Sequence, residues 1–433
     1  MAEKWLVVGG GISGLAAAKC LQAFGRDYVL LEKSPSVGGL TRTCEVADFC
    51  FDYTGHFLHL SRYQSPSRIP YANLDDDDWQ TIERKSYFYA ANRLITAPIQ
   101  YNLGELPEDV RDECAASYDA RPKRGGPDAS FRDFVVSGFG QAVADRFLIP
   151  QNEKTMATPL GRLSMDAVKR FFPPPDEERI RAGLKRQGLK ATEYNTVFWY
   201  PRQGGIERLV RGLGRGLGHV ATNEEVVQID LERRSVLTSA GRRLPWGRML
   251  PSMPLKALCA LTSDEELRDA AGRLSHSSTI SFNLGIRGQL PGQLRDAHWV
   301  YVPDRSIPFY RLGCYSNISA GMCSHGYSAA YVEVAVPGEE LDRVDLLGDL
   351  QPTVIAALEQ LGWVRSQDIV CSVAHVIRCA YVHHTPEREE LVRRIRGRLG
   401  EHGIHPIGRY GLWDYTGMED SMESALSTVR GLL

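Results

Sequence analysis

The sequence predicts a mixed α/β protein built around a doubly wound parallel sheet, with a helical insertion and an antiparallel β insertion. Three observations carry this prediction. An apolar strand, Trp5 to Val8, runs into a glycine-rich turn and a helix of small residues. A second apolar strand, Tyr28 to Leu31, ends in Glu32. Residues 276–380 show the alternation of β-strands, and 249–255 resembles a strand that re-enters the first sheet.

The glycine-rich turn has the spacing of a Rossmann-like dinucleotide-binding motif. Gly9 permits the tight turn, Gly11 has no side chain to obstruct a pyrophosphate, and Gly14 lets the helix pack closely on the strand. The N-terminus of that helix faces the phosphates. Glu32 lies about 20 residues further on, where an acid accepts hydrogen bonds from a ribose. We therefore predict a dinucleotide site rather than a purely structural glycine turn.

A second glycine pair favours FAD over NAD. Gly38 and Gly39 follow Glu32 closely, and Leu40 and Arg42 come just after them. Glycines at this place let the chain fold over the pyrophosphate a second time. The arrangement resembles the FAD-binding region of the amine-oxidase-like flavoprotein superfamily.

Length, charge and cysteine content narrow the class of protein. The 433 residues are enough for two or three domains, and 43% are hydrophobic. A net charge of −2, from 51 basic and 53 acidic side chains, argues against a general nucleic-acid binder. Nine cysteines without a C-x-x-C pair favour free thiols in a reducing compartment. With no apolar stretch of membrane-spanning length and no recognisable signal peptide, we expect a cytoplasmic protein without a membrane partner.

The predicted FAD-binding domain is discontinuous. We assign residues 1–95, 200–260 and 400–433 to this domain, 96–199 to a helical domain, and 261–399 to a β-sheet substrate domain.

Local patterns predict further elements. Residues 87–95 indicate a hairpin, 206–217 an arginine-rich helix, and 346–361 an amphipathic helix. Pro, Gly and charged residues cluster between 173 and 205, so we expect a loop that closes over a charged substrate there.

Five segments, taken in chain order, resemble one family over nearly the whole chain. They are Phe51 to His56, Phe139 to Lys154, His298 to Arg311, Tyr315 to Asn317 and Gly408 to Tyr415. Together they resemble the UDP-galactopyranose mutase family, more its eukaryotic than its bacterial sequences. The matches nearest the C-terminus are the most specific, because amine oxidases share the FAD motif but not these segments.

The resemblance implies an isomerase that uses reduced FAD. In such enzymes flavin N5 attacks the anomeric carbon of a nucleotide-sugar, the diphosphate leaves, and the sugar recloses with another ring size. The implied substrate is UDP-galactopyranose or a related nucleotide-sugar, and the implied reductant is NAD(P)H or another donor. The oligomeric state is open, with a dimer as one candidate.

The resemblance also implies a role for individual residues. The catalytic residues are Arg311, Arg409 and His56. The cofactor contacts are Gly9, Gly11, Ser13, Gly14, Glu32, Lys33, Gly39, Leu40, Gly55, His56, Val226, Gly408, Arg409 and Met418. The substrate contacts are Asn152, Arg311, Asn317, Tyr381, Arg409 and Tyr415. No metal site is expected, because the adjacent histidines 383 and 384 would point to opposite faces of an extended segment.

Arginine suits this chemistry because a planar guanidinium can meet two oxygens of a leaving diphosphate at once. Four positions nevertheless depart from the family. Ile318 and Ala97 stand where the family has tyrosines, Met156 stands where it has a tryptophan, and Glu419 lies in the region of a missing asparagine. These changes affect substrate recognition rather than flavin chemistry.

Two alternatives stay open. One is an FAD-dependent oxidase or desaturase of the amine-oxidase kind, which would oxidise an apolar or amine substrate with oxygen or quinone. The other is a non-catalytic FAD-binding partner protein.

Overall fold

The computed structural model describes residues 4–122, 126, 129–165, 172–186 and 196–433. Its strands are β1 (Trp5–Val8), β2 (Tyr28–Leu31), β3 (Thr43–Val46), β4 (Phe49–Asp52), β5 (Trp79–Glu83), β6 (Ser86–Ala90), β7 (Arg93–Thr96), β8 (Val197–Pro201), β9 (Val220–Ala221), β10 (Val226–Asp230), β11 (Ser235–Thr238), β12 (Arg243–Pro245), β13 (Arg248–Pro251), β14 (His276–Arg287), β15 (Trp299–Tyr301), β16 (Arg311–Cys314), β17 (Tyr327–Pro337) and β18 (Ile369–Val382).

Its α-helices are α1 (Ile12–Ala23), α2 (Glu108–Asp119), α3 (Phe131–Phe139), α4 (Gln141–Val143), α5 (Ile149–Met156), α6 (Glu177–Leu184), α7 (Glu207–Gly214), α8 (Leu255–Ala260), α9 (Glu265–Gly272), α10 (Gln351–Gln360), α11 (Arg388–Glu401), α12 (Gly408–Gly411) and α13 (Met418–Leu432).

A parallel sheet in the order β13-β1-β2-β9 forms the nucleotide-binding core, as the sequence predicts. β1 lies between β13 and β2, and Val8 is opposite both Pro251 and Leu31. The small residues Ala16 to Ala18 are fully buried, which allows α1 to lie close to the strands. Helix α13 packs on α1. The start and middle of the chain therefore form this sheet, and the end of the chain adds a helix that packs against it through α1.

The larger sheet has seven strands in the order β18-β14-β17-β16-β15-β6-β7. Its centre is antiparallel: β14 pairs with β17 over eleven residues, from Ser277 opposite Pro337 to Arg287 opposite Tyr327. Most residues of both strands are buried, because the sheet is covered on both faces.

One hairpin within residues 1–95 belongs to the larger sheet. The hairpin β6–β7 forms as predicted, but it extends the seven-stranded sheet instead of joining the nucleotide-binding sheet of residues 1–95. The reason is backbone pairing: β6 runs parallel to β15, with Ser86 opposite Trp299 and Phe88 opposite Tyr301.

The segment between 173 and 205 is not a continuous loop where it is described. It contains α6 and β8, and β8 pairs with β5 from Trp79 opposite Pro201 to Glu83 opposite Val197. Residues 187–195 lie outside the described residues. The described part of this segment is therefore partly helix and strand, and the closure of a loop here stays a prediction.

Candidate active site

The first glycine turn has two glycines that the fold requires and one that it leaves open. Gly9 has φ +99°, and a Cβ on Gly14 would lie 1.9 Å from the carbonyl oxygen of Gly9. At Gly11 the nearest atom to such a Cβ is the Gly39 Cα, at 3.9 Å. Gly14 is therefore needed for helix–strand packing, whereas the space beside Gly11 is available to a ligand.

Glu32 closes the turn at the end of β2. Its carboxylate is buried and accepts hydrogen bonds from the Gly10 N–H at 2.7 Å and the Ser34 N–H at 2.8 Å. A carboxylate has about four acceptor sites, so hydroxyl groups of a ribose can still be accepted.

The second glycine pair folds back over the first turn. Gly38 has φ +123°, and its N–H donates to the Gly10 carbonyl at 2.8 Å. Gly39 has φ +57° and begins a short 3-10 turn that includes Leu40. Two glycine loops thus lie one against the other at the end of the parallel sheet.

The loop after β4 carries Gly55 and His56 to the larger sheet. A Cβ on Gly55 would lie 2.0 Å from the Tyr331 hydroxyl, so only glycine fits beneath this ring. Desolvation and then the positive charges of Arg409 and Arg311 lower the pKa of His56 to about 4. The imidazole is therefore neutral at pH 7.

Arg311 is locked in a buried ion pair. Its Nε donates to Glu333 Oε2 at 2.5 Å and its Nη2 to Glu333 Oε1 at 2.8 Å, and Glu333 is only 1% exposed. The Thr54 hydroxyl also donates to Glu333. Burial alone would raise the pKa of Glu333, but the charge and hydrogen bonds of Arg311 outweigh it and lower that pKa. Glu333 thereby ties Arg311 to the loop that holds His56.

Arg409 lies in α12 among aromatic rings. Its Nη1 donates to the Thr416 carbonyl at 3.0 Å and its Nη2 to the Ala380 carbonyl at 2.7 Å. The guanidinium carbon is 4.6 Å from the ring centre of Tyr415 and 5.5 Å from that of Tyr381. Gly408, just before it, has φ +71°, and a Cβ there would lie 2.1 Å from the Ser13 Oγ.

The surroundings of Arg311 and of Arg409 meet at Tyr381 and Tyr415. These rings contact each other edge to face, with centroids 5.4 Å apart. Burial raises the pKa of Tyr381, and the charges of both Arg311 and Arg409 act against that rise. The fold therefore forms one arginine cluster from four distant parts of the sequence. Its members are His56, Arg311, Tyr381, Arg409 and Tyr415.

The other predicted site residues bind main-chain carbonyls, lie at the surface or stand at the start of an element. The Asn317 amide donates to the carbonyls of Leu294 and Ala297, and the Asn152 amide donates to the Leu148 carbonyl. Lys33 is exposed, 3.9 Å from Glu225 Oε1. Val226 begins β10, and Met418 is the first residue of α13.

Most of the four positions at which the sequence departs from the family pattern lie in the protein interior. Ile318 and Met156 are buried, and Ala97 precedes Pro98. Glu419 is 1% exposed and accepts bonds from the main chain of residues 61–63 and from the Ser61 hydroxyl, at 2.8–3.1 Å.

Sequence reasoning missed Glu333, Thr54 and Tyr331. A signal for Glu333 was present: it is an acid in the middle of the apolar run Ala330 to Ala335, and a buried carboxylate needs a cationic partner. The partner itself could not be named, because it lies 22 residues away on another strand.

A cavity of about 420 Å³ opens near the turn of the β6–β7 hairpin. It lies between the turn of the β6–β7 hairpin, residues 145–147 with Pro150, and residues 303–305. Neither Arg311 nor Arg409 is among its lining residues.

Neither a metal site nor a membrane-spanning helix is found in the part of the chain that the structure describes. No group of three His, Cys, Asp or Glu side chains there could hold a metal ion. His383 lies 3.0 Å from the Ser275 hydroxyl and 2.8 Å from the Met156 carbonyl. No described helix combines the length and apolar character needed to span a membrane.

The fold and the first site define a class: a mixed α/β protein with a Rossmann-like NAD(P)-binding domain. Residues 7–69 match the family model described as an NAD(P)-binding Rossmann-like domain.

Three solved structures are similar to this chain over its whole length. A reduced UDP-galactopyranose mutase superposes with a TM-score of 0.89 at 24% identity, over 100% of this chain and 95% of that one. A protein from Exiguobacterium sp. 255-15, provisionally described as a protoporphyrinogen oxidase, gives 0.78 at 17%, over 100% and 99%. A putrescine oxidase variant with a redesigned cofactor site gives 0.65 at 15%, over 100% and 99%. At these identities the likenesses show the fold.

Proposed function

We propose that the chain is a reduced-FAD-dependent nucleotide-sugar mutase. It would interconvert the pyranose and furanose rings of UDP-galactopyranose or a related nucleotide-sugar. The observation that carries this proposal is the meeting of Arg311 and Arg409 beside the Thr54–His56 loop, where both charges act on His56. A departing diphosphate gains negative charge, and two desolvated guanidinium groups at one place can stabilise it.

The residues of the glycine turns fit FAD. The open space at Gly11 and the loop of Gly38 and Gly39 above it would receive a pyrophosphate, and Glu32 would accept a ribose. When bound, reduced FAD would supply the nucleophile for the anomeric carbon.

Two buried polar atoms in the arginine cluster are also consistent with a ligand there. His56 Nδ1 and Arg409 Nε have no hydrogen-bond partner among the described residues. Buried polar atoms are normally paired, so each is suited to a group that enters the site.

The chain's own residues would hold and orient the substrate. Glu333 takes two N–H groups of Arg311, which leaves the other side of this guanidinium for phosphate oxygens. Tyr381 and Tyr415 would donate phenolic hydrogen bonds to the same phosphates. Since His56 is neutral at pH 7, the positive charge at the site would come from the arginines.

The test is a redox-neutral conversion. Purified protein is incubated without oxygen with UDP-galactopyranose and a panel of other nucleotide-sugars, with and without dithionite, and the ring forms are separated by anion-exchange chromatography. We expect furanose product only after reduction, and loss of product in Arg311→Lys and Arg409→Lys but not in the surface variant Arg393→Lys. Oxygen consumption with an amine, and no converted nucleotide-sugar, would instead support the oxidase alternative.

A further inference from the structure

The turn that follows helix α12 contains a strained residue. Trp413 has φ +51°, in the left-handed region that bulky side chains avoid, and its side chain is fully buried. Among the residues that the structure describes, no other buried side chain belongs to a residue with positive φ. Strain of this kind persists only where surrounding contacts hold the backbone, and it is concentrated at functional sites.

Trp413 stands in a helix-ending turn at the place where glycine is usual. The Asp414 N–H donates to the Arg409 carbonyl at 2.9 Å, and the Trp413 N–H donates to the Tyr410 carbonyl at 3.3 Å. In this pair of bonds the residue before the last donor is left-handed, and glycine adopts that conformation without strain. The conformation of Trp413 therefore sets the path of the chain from Arg409 to Tyr415.

The side chain of Arg388, the first residue of α11, holds this turn. Its Nε donates to the Trp413 carbonyl at 2.9 Å, and its Nη2 donates to the same carbonyl. Nη2 also lies 3.5 Å from Asp414 Oδ1. A cation is favourable at the end of a helix, where carbonyl groups lack partners within the helix. Arg388 thus stabilises the strained turn with a planar group that meets two of its residues.

Two further contacts join the same parts of the chain. The His384 Nε2 lies 3.1 Å from Asp414 Oδ1, and the Arg409 Nη2 donates to the Ala380 carbonyl at 2.7 Å. The end of β18, which carries Tyr381, is thereby fixed to the turn. The three aromatic and cationic groups nearest to one another in the arginine cluster depend on this one connection.

We propose that Arg388 is a positioning residue for the diphosphate of the substrate. It acts through the turn: it holds Trp413 in the conformation that places the Arg409 guanidinium carbon 4.6 Å from the ring centre of Tyr415. The inference rests on the proposed function, because a diphosphate is the group that these two residues would bind. Without Arg388 the turn can relax from its strained conformation, and the two binding groups lose their common orientation.

The first test measures nucleotide affinity. Binding of UDP, GDP and dTDP to the FAD-loaded protein is followed by isothermal titration calorimetry. For each nucleotide that the wild type binds, we expect Arg388→Met to raise the dissociation constant by about tenfold or more. Arg388→Lys should raise it less, because lysine keeps the charge but not the planar fork. Arg393→Met is the matched control on the same helix, since Arg393 is 70% exposed and pairs with the exposed Glu390.

The second test examines the turn without a ligand. The Asp414 amide should exchange its hydrogen faster in Arg388→Met than in the wild type or in Arg393→Met, because its bond to the Arg409 carbonyl opens more often. Amides of α1 should keep their protection in all three proteins. Equal ratios of bound FAD to protein show that each variant has kept its fold.

The outcomes distinguish this inference from the proposed function. A wild type that binds none of the three nucleotides would refute the proposed function, and the inference with it. Equally tight nucleotide binding by the wild type and by folded Arg388→Met would overturn the inference alone. Unchanged exchange at Asp414 would also overturn it, because the turn would then not depend on Arg388.

Discussion

The glycine-rich nucleotide turn and the arginine cluster differ in how the chain builds them. The turn comes from one continuous stretch, Gly9 to Gly39, and its parts touch through main-chain contacts. The cluster comes from the Thr54–His56 loop, Arg311, Glu333 and the segment 381–415, which the seven-stranded sheet and helix α12 bring together. A local motif depends on backbone conformation, whereas an assembled site depends on side-chain contacts between residues that are far apart in the sequence. The two regions should therefore fail in different ways when they are changed.

The largest expected effect is at the buried ion pair. Arg311→Ala leaves the Glu333 carboxylate unpaired in a site that is 1% exposed. We expect the free energy of unfolding to fall by about 3–5 kcal/mol, as measured by urea denaturation at pH 7. Arg393→Ala, which breaks a pair between exposed side chains, should leave the unfolding curve unchanged.

A double variant separates stability from function at the same place. Arg311→Met with Glu333→Leu removes both charges together and should recover most of the lost stability, because no charge stays buried alone. It should not recover any activity that depends on the guanidinium. Recovery of both would mean that Arg311 has only a structural role.

The second effect is a pH dependence that belongs to the assembled site. The pKa of His56 is about 4 in the folded chain against 6.5 for the free side chain, so the unfolded state binds more protons between these values. Stability from this group is present above pH 6.5 and is lost as the pH falls toward 4. Between pH 7 and pH 4.5 the wild type should lose about 2–3 kcal/mol that His56→Asn does not lose. Parallel losses in both proteins would contradict the shift.

The third effect divides the nucleotide turn itself. Gly14→Ala forces a Cβ against the Gly9 carbonyl, and we expect it to lower the free energy of unfolding by at least about 2 kcal/mol. Gly11→Ala places its Cβ in open space, so the thermal transition should stay in place. FAD affinity should nevertheless fall by about tenfold or more, which the ratio of bound flavin to protein measures. Full flavin binding by Gly11→Ala would show that the pyrophosphate lies elsewhere.

The same difference explains how much could be predicted. The strand–turn–helix from Trp5 to Gly14 was predictable because its pattern is local, and the structure confirms it. The hairpin β6–β7 was predicted as a hairpin, but its place in the larger sheet was not, since pairing with β15 joins residues more than 200 positions apart. The role of Glu333 was hidden for a similar reason. Its strand was evident from alternation, but its ionic partner was not.

The smallest expected effect concerns Lys33, which follows Glu32 directly and which the family resemblance placed at the cofactor. In the structure its ammonium is exposed and lies 3.9 Å from Glu225, so a gain from this pair is strongly screened. Lys33→Ala should therefore leave both the unfolding curve and the FAD affinity unchanged. Glu32→Gln is the matched control, because it replaces a carboxylate that accepts two main-chain N–H groups. It should lower the free energy of unfolding by about 1–3 kcal/mol. If Lys33→Ala weakens FAD binding as much as Glu32→Gln does, the lysine reaches the cofactor when FAD is bound. The nucleotide turn would then be completed by a side chain, and its contrast with the arginine cluster would be smaller than the backbone contacts indicate.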